Sequence, residues 1–291
     1  MSKKLAFIGL GVMGYPMAGH LQQAGYDVCV YNRTASKAEA WCDEHGGRAA
    51  STPAAAALDA EVVFMCVGND DDVRSVVYGN DGVLATLQPG AILVDHTTAS
   101  ADLARELGEN CAKQSVEFVD APVSGGQAGA ENAKLTIMMG GDASTVEKIQ
   151  PMLDVMSHHS GLQGPVGSGQ LAKMVNQICI AGVLAGLSEG LAFGKQAGLN
   201  PEALVAAISA GSAGSWQMQN RSHTMWNGEY DFGFAVDWMR KDLAIAMNEA
   251  RKNGASLPVT GVIDQLYAEV QALGGSRWDT SSLMARLVKF H

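Results

Sequence analysis

Apolar residues along this chain fall into two textures that change near residue 164. In the first, short apolar runs alternate with stretches of helical period. Leu5-Ala6-Phe7-Ile8, closed by Gly9, is a continuous apolar run of the kind that a parallel strand buried on both faces requires. A helical pattern over 15–24 ends at Gly25, and Tyr26-Asp27-Val28-Cys29-Val30-Tyr31 follows as a second strand, so the opening is one strand–helix–strand unit. The alternation continues with a helix over 34–45, a strand around Ala49, a helix over 52–58 and strands over 61–67, 92–95 and 116–120, the last two separated by a helix over 100–113. Such alternation predicts a mainly parallel sheet with helices on both faces.

In the second texture, 168–197 reads as one long helix rich in Ala, Leu and Val, and the helical segments after it carry almost no strand pattern. The expected architecture is α/β: a doubly wound parallel sheet over 1–163, then an all-α domain over 164–291, joined by that long helix. Gly161, Gly164, Gly167 and Gly169 read as a hinge loop between them. The helix is also more apolar, through Ala181-Gly182-Val183-Leu184-Ala185-Gly186-Leu187, than one small domain covers, which predicts a homodimer or homotetramer packed through the helical domain.

Composition removes several function classes. With 47% hydrophobic and 17% charged residues the 291-residue chain is an ordinary packed protein. A net charge of -10 opposes nucleic-acid binding, which needs a basic footprint. The five cysteines have no paired spacing and read as reduced thiols, and no segment reaches 18 uninterrupted apolar residues, so no membrane span is expected and the cytoplasm is the expected compartment.

Gly9-Leu10-Gly11-Val12-Met13-Gly14 follows the first strand and opens the first helix. In that context GxGxxG predicts dinucleotide binding in a Rossmann-type domain: glycines permit the turn and the close approach of a pyrophosphate, which sits on the free amides and positive end of the helix. About twenty residues on, where a carboxylate would hold the ribose hydroxyls of NAD(H), the second strand ends in Asn32-Arg33-Thr34. Arg33, with Thr34, suits a 2′-phosphate, so NADP(H) is favoured over NAD(H), with no metal.

Hydride chemistry needs a proton donor or acceptor at the substrate oxygen. Lys173 and Asn176 are spaced i, i+3 near the start of the long helix, in an otherwise apolar stretch where a lysine is costly unless exposed or used. Here the chain resembles the β-hydroxyacid dehydrogenases, the family of 3-hydroxyisobutyrate dehydrogenase, tartronate semialdehyde reductase and glyoxylate/succinic semialdehyde reductase. The resemblance runs essentially full length and rests on four motifs in order: 7–17, Asp120-Ala121-Pro122-Val123-Ser124-Gly125-Gly126, Gly169 through Lys173 to Asn176, and Lys241-Asp242-Leu243.

The resemblance implies that Lys173 is the acid/base, that Asn176 orients the substrate, and that Ser124, Gly125 and Gly126 bind its carboxylate. It implies further that Lys241 reaches the nicotinamide ribose or substrate, that Thr98 lies beside the nicotinamide ring, and that Val67, Gly68 and Asn69 border the adenosine ribose. Thr97 stands where the family often has serine. A lysine's reference pKa of roughly 10.4 must be lowered by burial and nearby positive charge for this role. The substrate is expected to be a small anionic hydroxy acid or aldehyde acid, with serine, 3-hydroxyisobutyrate, 3-hydroxypropionate, glyoxylate and succinic semialdehyde all fitting. A catalytically silent nucleotide-binding partner of the same fold and a reductase of another carbonyl or imine substrate are the alternatives; Lys173, Asn176 and the Ser124-Gly125-Gly126 turn together argue against the first, and Lys173 against an imine reductase. His158-His159 reads as a surface turn, His96 as a strand-end packing residue, Asp70-Asp71-Asp72 as an acidic helix start, and 212–216 as either pocket lining or plain packing.

Overall fold

A computed structural model describes residues 2–288. Its contacts divide the chain into two compact units, Met1–Lys173 and Met174–His291. The cut falls inside the long helix, whereas the change of sequence texture lies at 164.

In the first unit the elements run β1 (Lys4–Ile8), α1 (Gly14–Gln23), β2 (Asp27–Tyr31), α2 (Ala35–His45), β3 (Arg48–Ala49), α3 (Pro53–Ala57), β4 (Val62–Met65), α4 (Asp70–Val77), β5 (Ile92–Asp95), α5 (Ala101–Lys113), β6 (Glu117–Asp120), β7 (Val123–Ser124), α6 (Gly126–Glu131), β8 (Leu135–Gly140), α7 (Ala143–Leu153) and β9 (Ser157–Gly164). Among the described residues nine strands form one sheet in the order β3-β2-β1-β4-β5-β6-β8-β7, with β9 on β8. The first six strands are parallel; β8 runs antiparallel to β6 and β7 and parallel to β9. The order reverses between β1 and β4, and at such a switch point ligands bind outside the carboxyl ends of the strands.

Both sheet faces are apolar, as the continuous runs require. Phe7, Val28, Val30, Phe64 and Val94 pack with Met17, Leu21 and Trp41 on one side, and Ala6, Ile8, Val63, Met65 and Leu93 with Val73, Leu103 and Leu107 on the other. Burial of each large side chain contributes roughly 1.5–3 kcal/mol.

Two expectations are corrected. Residues 157–164 form a strand, so His158 and His159 lie on an exposed edge strand and not in a turn, and Gly161 and Gly164 belong to that strand and not to a hinge loop. Gly169 is in the first turn of the long helix, α8 (Ser168–Gln196), where its missing side chain is required: a Cβ would stand 2.5 Å from the Met138 carbonyl and 2.7 Å from that of Asp120. Strands β7, β8 and β9 had no counterpart in the sequence reading.

By length and composition α8 is apolar enough to cross a membrane, with mean hydropathy 1.5 over its best window. An uninterrupted run is lacking, but the average passes. The helix also buries the polar side chains of Gln170, Lys173, Gln177 and Ser188.

In the second unit the rest of α8 is joined by α9 (Pro201–Ser209), α10 (Trp216–Asn227), α11 (Val236–Asn253) and α12 (Pro258–Ala272). Ala181 and Leu184 pack with Val236, Met239, Leu243, Ile263 and Tyr267; Leu187 and Leu191 pack with Met218, Met225, Tyr230 and Met284.

Candidate active site

The glycine-rich loop has the geometry of a pyrophosphate cradle. Gly9 adopts φ +97°, and a Cβ there would lie 2.3 Å from the Cys66 carbonyl oxygen; one on Gly14 would lie 2.0 Å from the Gly9 carbonyl oxygen. Gly11 faces open space, with nothing within 4 Å of where its Cβ would be. Helix α1 follows Met13, which makes no side-chain cap; Tyr15 N already donates to the Gly11 carbonyl and residue 16 is proline, so an anion here would be met by the amides of the glycine loop itself. These residues fit a dinucleotide.

Leu10 N donates to Asn32 Oδ1 at 2.9 Å, and Asn32 Nδ2 donates to the Thr34 carbonyl at 3.0 Å. Both ends of the Asn32 amide are therefore spent on the backbone, and the residue ties the glycine loop to the end of β2. Arg33 extends an exposed guanidinium whose Nη1 lies 3.3 Å from Asp72 Oδ1. The Thr34 hydroxyl is not used as a helix cap. The acidic run at 70–72 opens α4 as expected, where Asn69 caps Asp72 N at 2.9 Å and Asp70 accepts from Ser100 N and Oγ.

Beyond the switch point, the loops after β4 and β5 are fastened together. Val67 N donates to Thr97 Oγ1 at 3.0 Å, and Thr97 N donates to Asp95 Oδ1 at 2.8 Å. Val67, Gly68, Asn69 and Thr98 are half-buried beside them. Asp95 is 1% exposed, and burial pushes its carboxyl up to about 7. His96 meets its expectation: it is buried, stacks on Phe64 with ring centroids 5.7 Å apart, and pairs through Nδ1 with the Ala121 carbonyl at 2.7 Å, while burial lowers its pKa to about 4.

The start of α8 is held from β6. Fully buried Asp120 accepts from Gly167 N at 2.7 Å and Gln170 N at 2.9 Å, a cap supplied by another element, and burial pushes its carboxyl up to about 6 against the pull of those amides. Gln170, 1% exposed, accepts from Ala99 N at 3.0 Å and donates to the Thr97 carbonyl at 2.7 Å. Sequence reading missed Gln170, although its signal, a polar side chain on an apolar helix, is the one that singled out Lys173.

One turn further along α8, Lys173 is 7% exposed. Past the unit boundary a polar chain begins: Asn176 Nδ2 donates to Gln177 Oε1 at 2.9 Å, Gln177 Nε2 donates to buried Asp242 Oδ2 at 2.7 Å, and Lys241 Nζ lies 3.1 Å from Asp242 Oδ1 and 5.7 Å from the centre of the Trp238 ring. Gln177 and Asp242 are further residues the sequence reading gave no role.

Ser124 is half-buried at the end of β7, paired with Thr136. Gly125 and Gly126 are exposed and both have positive φ, +132° and +62°, a turn other residues would adopt only under strain. Ser215 caps α10 through Met218 N at 3.1 Å, and Trp216 is 56% exposed beneath the Arg221 guanidinium. Among the described residues no three His, Cys, Asp or Glu side chains gather as a metal site.

Comparison with known proteins agrees with this layout. Residues 4–175 match the NAD-binding domain family of 6-phosphogluconate dehydrogenase, and residues 167–287 match the family described as NAD-binding of NADP-dependent 3-hydroxyisobutyrate dehydrogenase. An uncharacterized oxidoreductase of Shewanella frigidimarina is 60% identical over 286 residues, 98% of each chain. A probable 3-hydroxyisobutyrate dehydrogenase-like protein 1, mitochondrial, of Arabidopsis thaliana is 40% identical over 99% of this chain and 86% of its own. The solved 3-hydroxyisobutyrate dehydrogenase of Mycobacterium tuberculosis with L-serine superposes with a TM-score of 0.89 at 29% identity, covering 99% of this chain and 100% of that one. The cradle at the switch point and these full-length matches lead to one conclusion: the chain belongs to the β-hydroxyacid dehydrogenase family of NAD(P)-dependent oxidoreductases, of the 3-hydroxyisobutyrate dehydrogenase type.

Proposed function

We propose that the protein transfers a hydride between NADP(H), in preference to NAD(H), and a small β-hydroxy acid or its semialdehyde or 2-oxo acid partner, with Lys173 as general acid/base. The observation that carries this reading is the burial of Lys173, a side chain that costs stability there, one turn from a helix start anchored to the loops around the dinucleotide cradle.

When bound, the nicotinamide would supply the hydride in reduction and accept it in oxidation. In reduction Lys173 Nζ gives its proton to the substrate carbonyl oxygen; in oxidation its neutral form takes the hydroxyl proton. Asn176, three residues along the same helical face, orients that oxygen. The Ser124 hydroxyl and the amides of Gly125 and Gly126 receive the substrate carboxylate, which a turn of two positive-φ glycines does without net charge. Lys241, held beside Asp242, adds positive charge for the anionic substrate. Arg33 and Thr34 take the 2′-phosphate. L-serine, present with the Mycobacterium tuberculosis relative, is itself a β-hydroxy acid and supports the substrate class. Val175, Val183, Phe193 and Leu199, all exposed apolar side chains, support assembly into a homodimer or homotetramer.

The test is absorbance of the reduced cofactor with NADPH and NADH in parallel, against a panel of small aldehyde acids and, with oxidised cofactor, hydroxy acids. Lys173→Ala should lower kcat by about 10²–10⁴-fold while sparing cofactor affinity. Unchanged turnover in that variant would refute the assignment.

A further inference from the structure

We infer that Gln170 is a positioning residue that fixes the backbone around Thr98, on the nicotinamide side of the cradle, relative to Lys173; this deepens the reading above and rests on it. The side of the cradle follows from topology. A dinucleotide whose pyrophosphate lies on the β1–α1 loop and whose adenosine ribose lies at the end of β2 extends its other half past β4 toward β5. The loop after β5 is where Gln170 makes both of its contacts.

Those contacts flank a single residue. The carbonyl of Thr97 and the amide of Ala99 stand on either side of Thr98, and Gln170 accepts from one and donates to the other, which also fixes the orientation of its own amide. With its side chain 1% exposed, both bonds are made away from water, where breaking one leaves a buried polar group unpaired. The Thr97 hydroxyl carries the restraint on to Val67, so the loop after β4 is included. Gln170 and Lys173 are spaced i, i+3 and share a helix face, with Cβ atoms about 5–6 Å apart. Asp120 holds the backbone amide of Gln170 itself, so the helix cannot slide along the sheet without releasing a buried carboxylate. One rigid turn of α8 thus connects the acid/base to the loop that the nicotinamide faces. A shift of about 1 Å between such groups is enough to cost about a hundredfold in rate.

The experiment compares wild type, Gln170→Leu and Gln170→Glu. Binding of NADPH and of its 2′-phosphorylated ADP-ribose fragment, which lacks nicotinamide, is titrated by protein fluorescence, and kcat and KM are measured across pH. Gln170→Leu should bind the fragment as wild type does but NADPH at least fivefold more weakly, and should lose at least about tenfold in kcat with substrate KM changed less than twofold. Glutamate reproduces the donor and acceptor of glutamine only when protonated, so the ratio of Gln170→Glu to wild-type activity should climb as pH falls. Equal weakening of fragment and NADPH would show mere damage to the fold and overturn the inference, as would wild-type NADPH affinity in Gln170→Leu or a pH-independent ratio for Gln170→Glu. Inactivity of the wild type with the whole substrate panel would instead refute the proposed function, while the two binding titrations still decide the role of Gln170.

Discussion

Replacing Asp95 by asparagine should convert a pH-dependent stability into a flatter one. Asp95 is 1% exposed at the end of β5, and although Thr97 donates to it, burial pushes its carboxyl from the usual 3.8 up to about 7. The folded chain therefore binds this proton more tightly than the unfolded chain does. Stability from that source is fully present below about pH 4, is lost as pH rises through about 7, and is level above. Three pKa units correspond to roughly 4 kcal/mol. Asp120, pushed up to about 6, acts in the same direction, whereas His96, lowered to about 4, acts oppositely: it favours the fold above its unfolded value of 6.5 and loses that contribution as pH falls. These terms partly cancel in the wild type, so its own stability curve is a poor witness. The difference between Asp95→Asn and wild type isolates one group, because asparagine keeps the acceptor for Thr97 N and never ionises. Urea unfolding at intervals from pH 4 to 8 should show the variant gaining roughly 3–4 kcal/mol on the wild type across that range, or about 10 °C in Tm. Parallel curves would refute the buried-carboxylate argument.

Two other substitutions probe the cradle. Gly14→Ala places a Cβ 2.0 Å from the Gly9 carbonyl, so the turn must open; NADPH affinity measured by fluorescence should fall at least about tenfold, and Tm should fall with a penalty of about 1–3 kcal/mol. On the proposed role of Arg33 at the 2′-phosphate, Arg33→Ala should weaken NADPH by about tenfold to a hundredfold while leaving NADH within twofold, as read from paired Kd values.

Much of this arrangement was legible because single residues left no alternative. The run ending at Gly9 could only be a strand closed by a turn, and Ser100, which caps α5 through Leu103 N, marked that helix start to the residue. The long helix was recognised to within one residue of its C-terminal end. What escaped depends on partners far along the chain. β9 alternates poorly, is largely exposed and carries glycines and a histidine pair; it is a strand because β8 offers it a ladder, with two shifts of register that no local pattern encodes. Asn32 was read with Arg33 and Thr34 as part of the cofactor-binding turn; that its amide also ties Leu10 to Thr34 depends on a partner 22 residues back. Gln170 was passed over in the stretch that made Lys173 conspicuous, since a neutral amide announces itself less than a charge, although burying it without two partners would be nearly as costly.

The grip of Asp120 on the first turn of α8 has a consequence for synthesis and for fragments. Its carboxylate sits on the sixth strand, but the amides that satisfy it arrive 47 and 50 residues later. A chain still emerging from the ribosome lacks the Gly167 and Gln170 amides until residue 170 is out, so burying this carboxylate earlier would carry a desolvation cost that those amides later offset. For the same reason a fragment cut at 163, at the change of texture, would lack the piece that seals it, and the smallest self-sufficient nucleotide-binding piece extends into the helix.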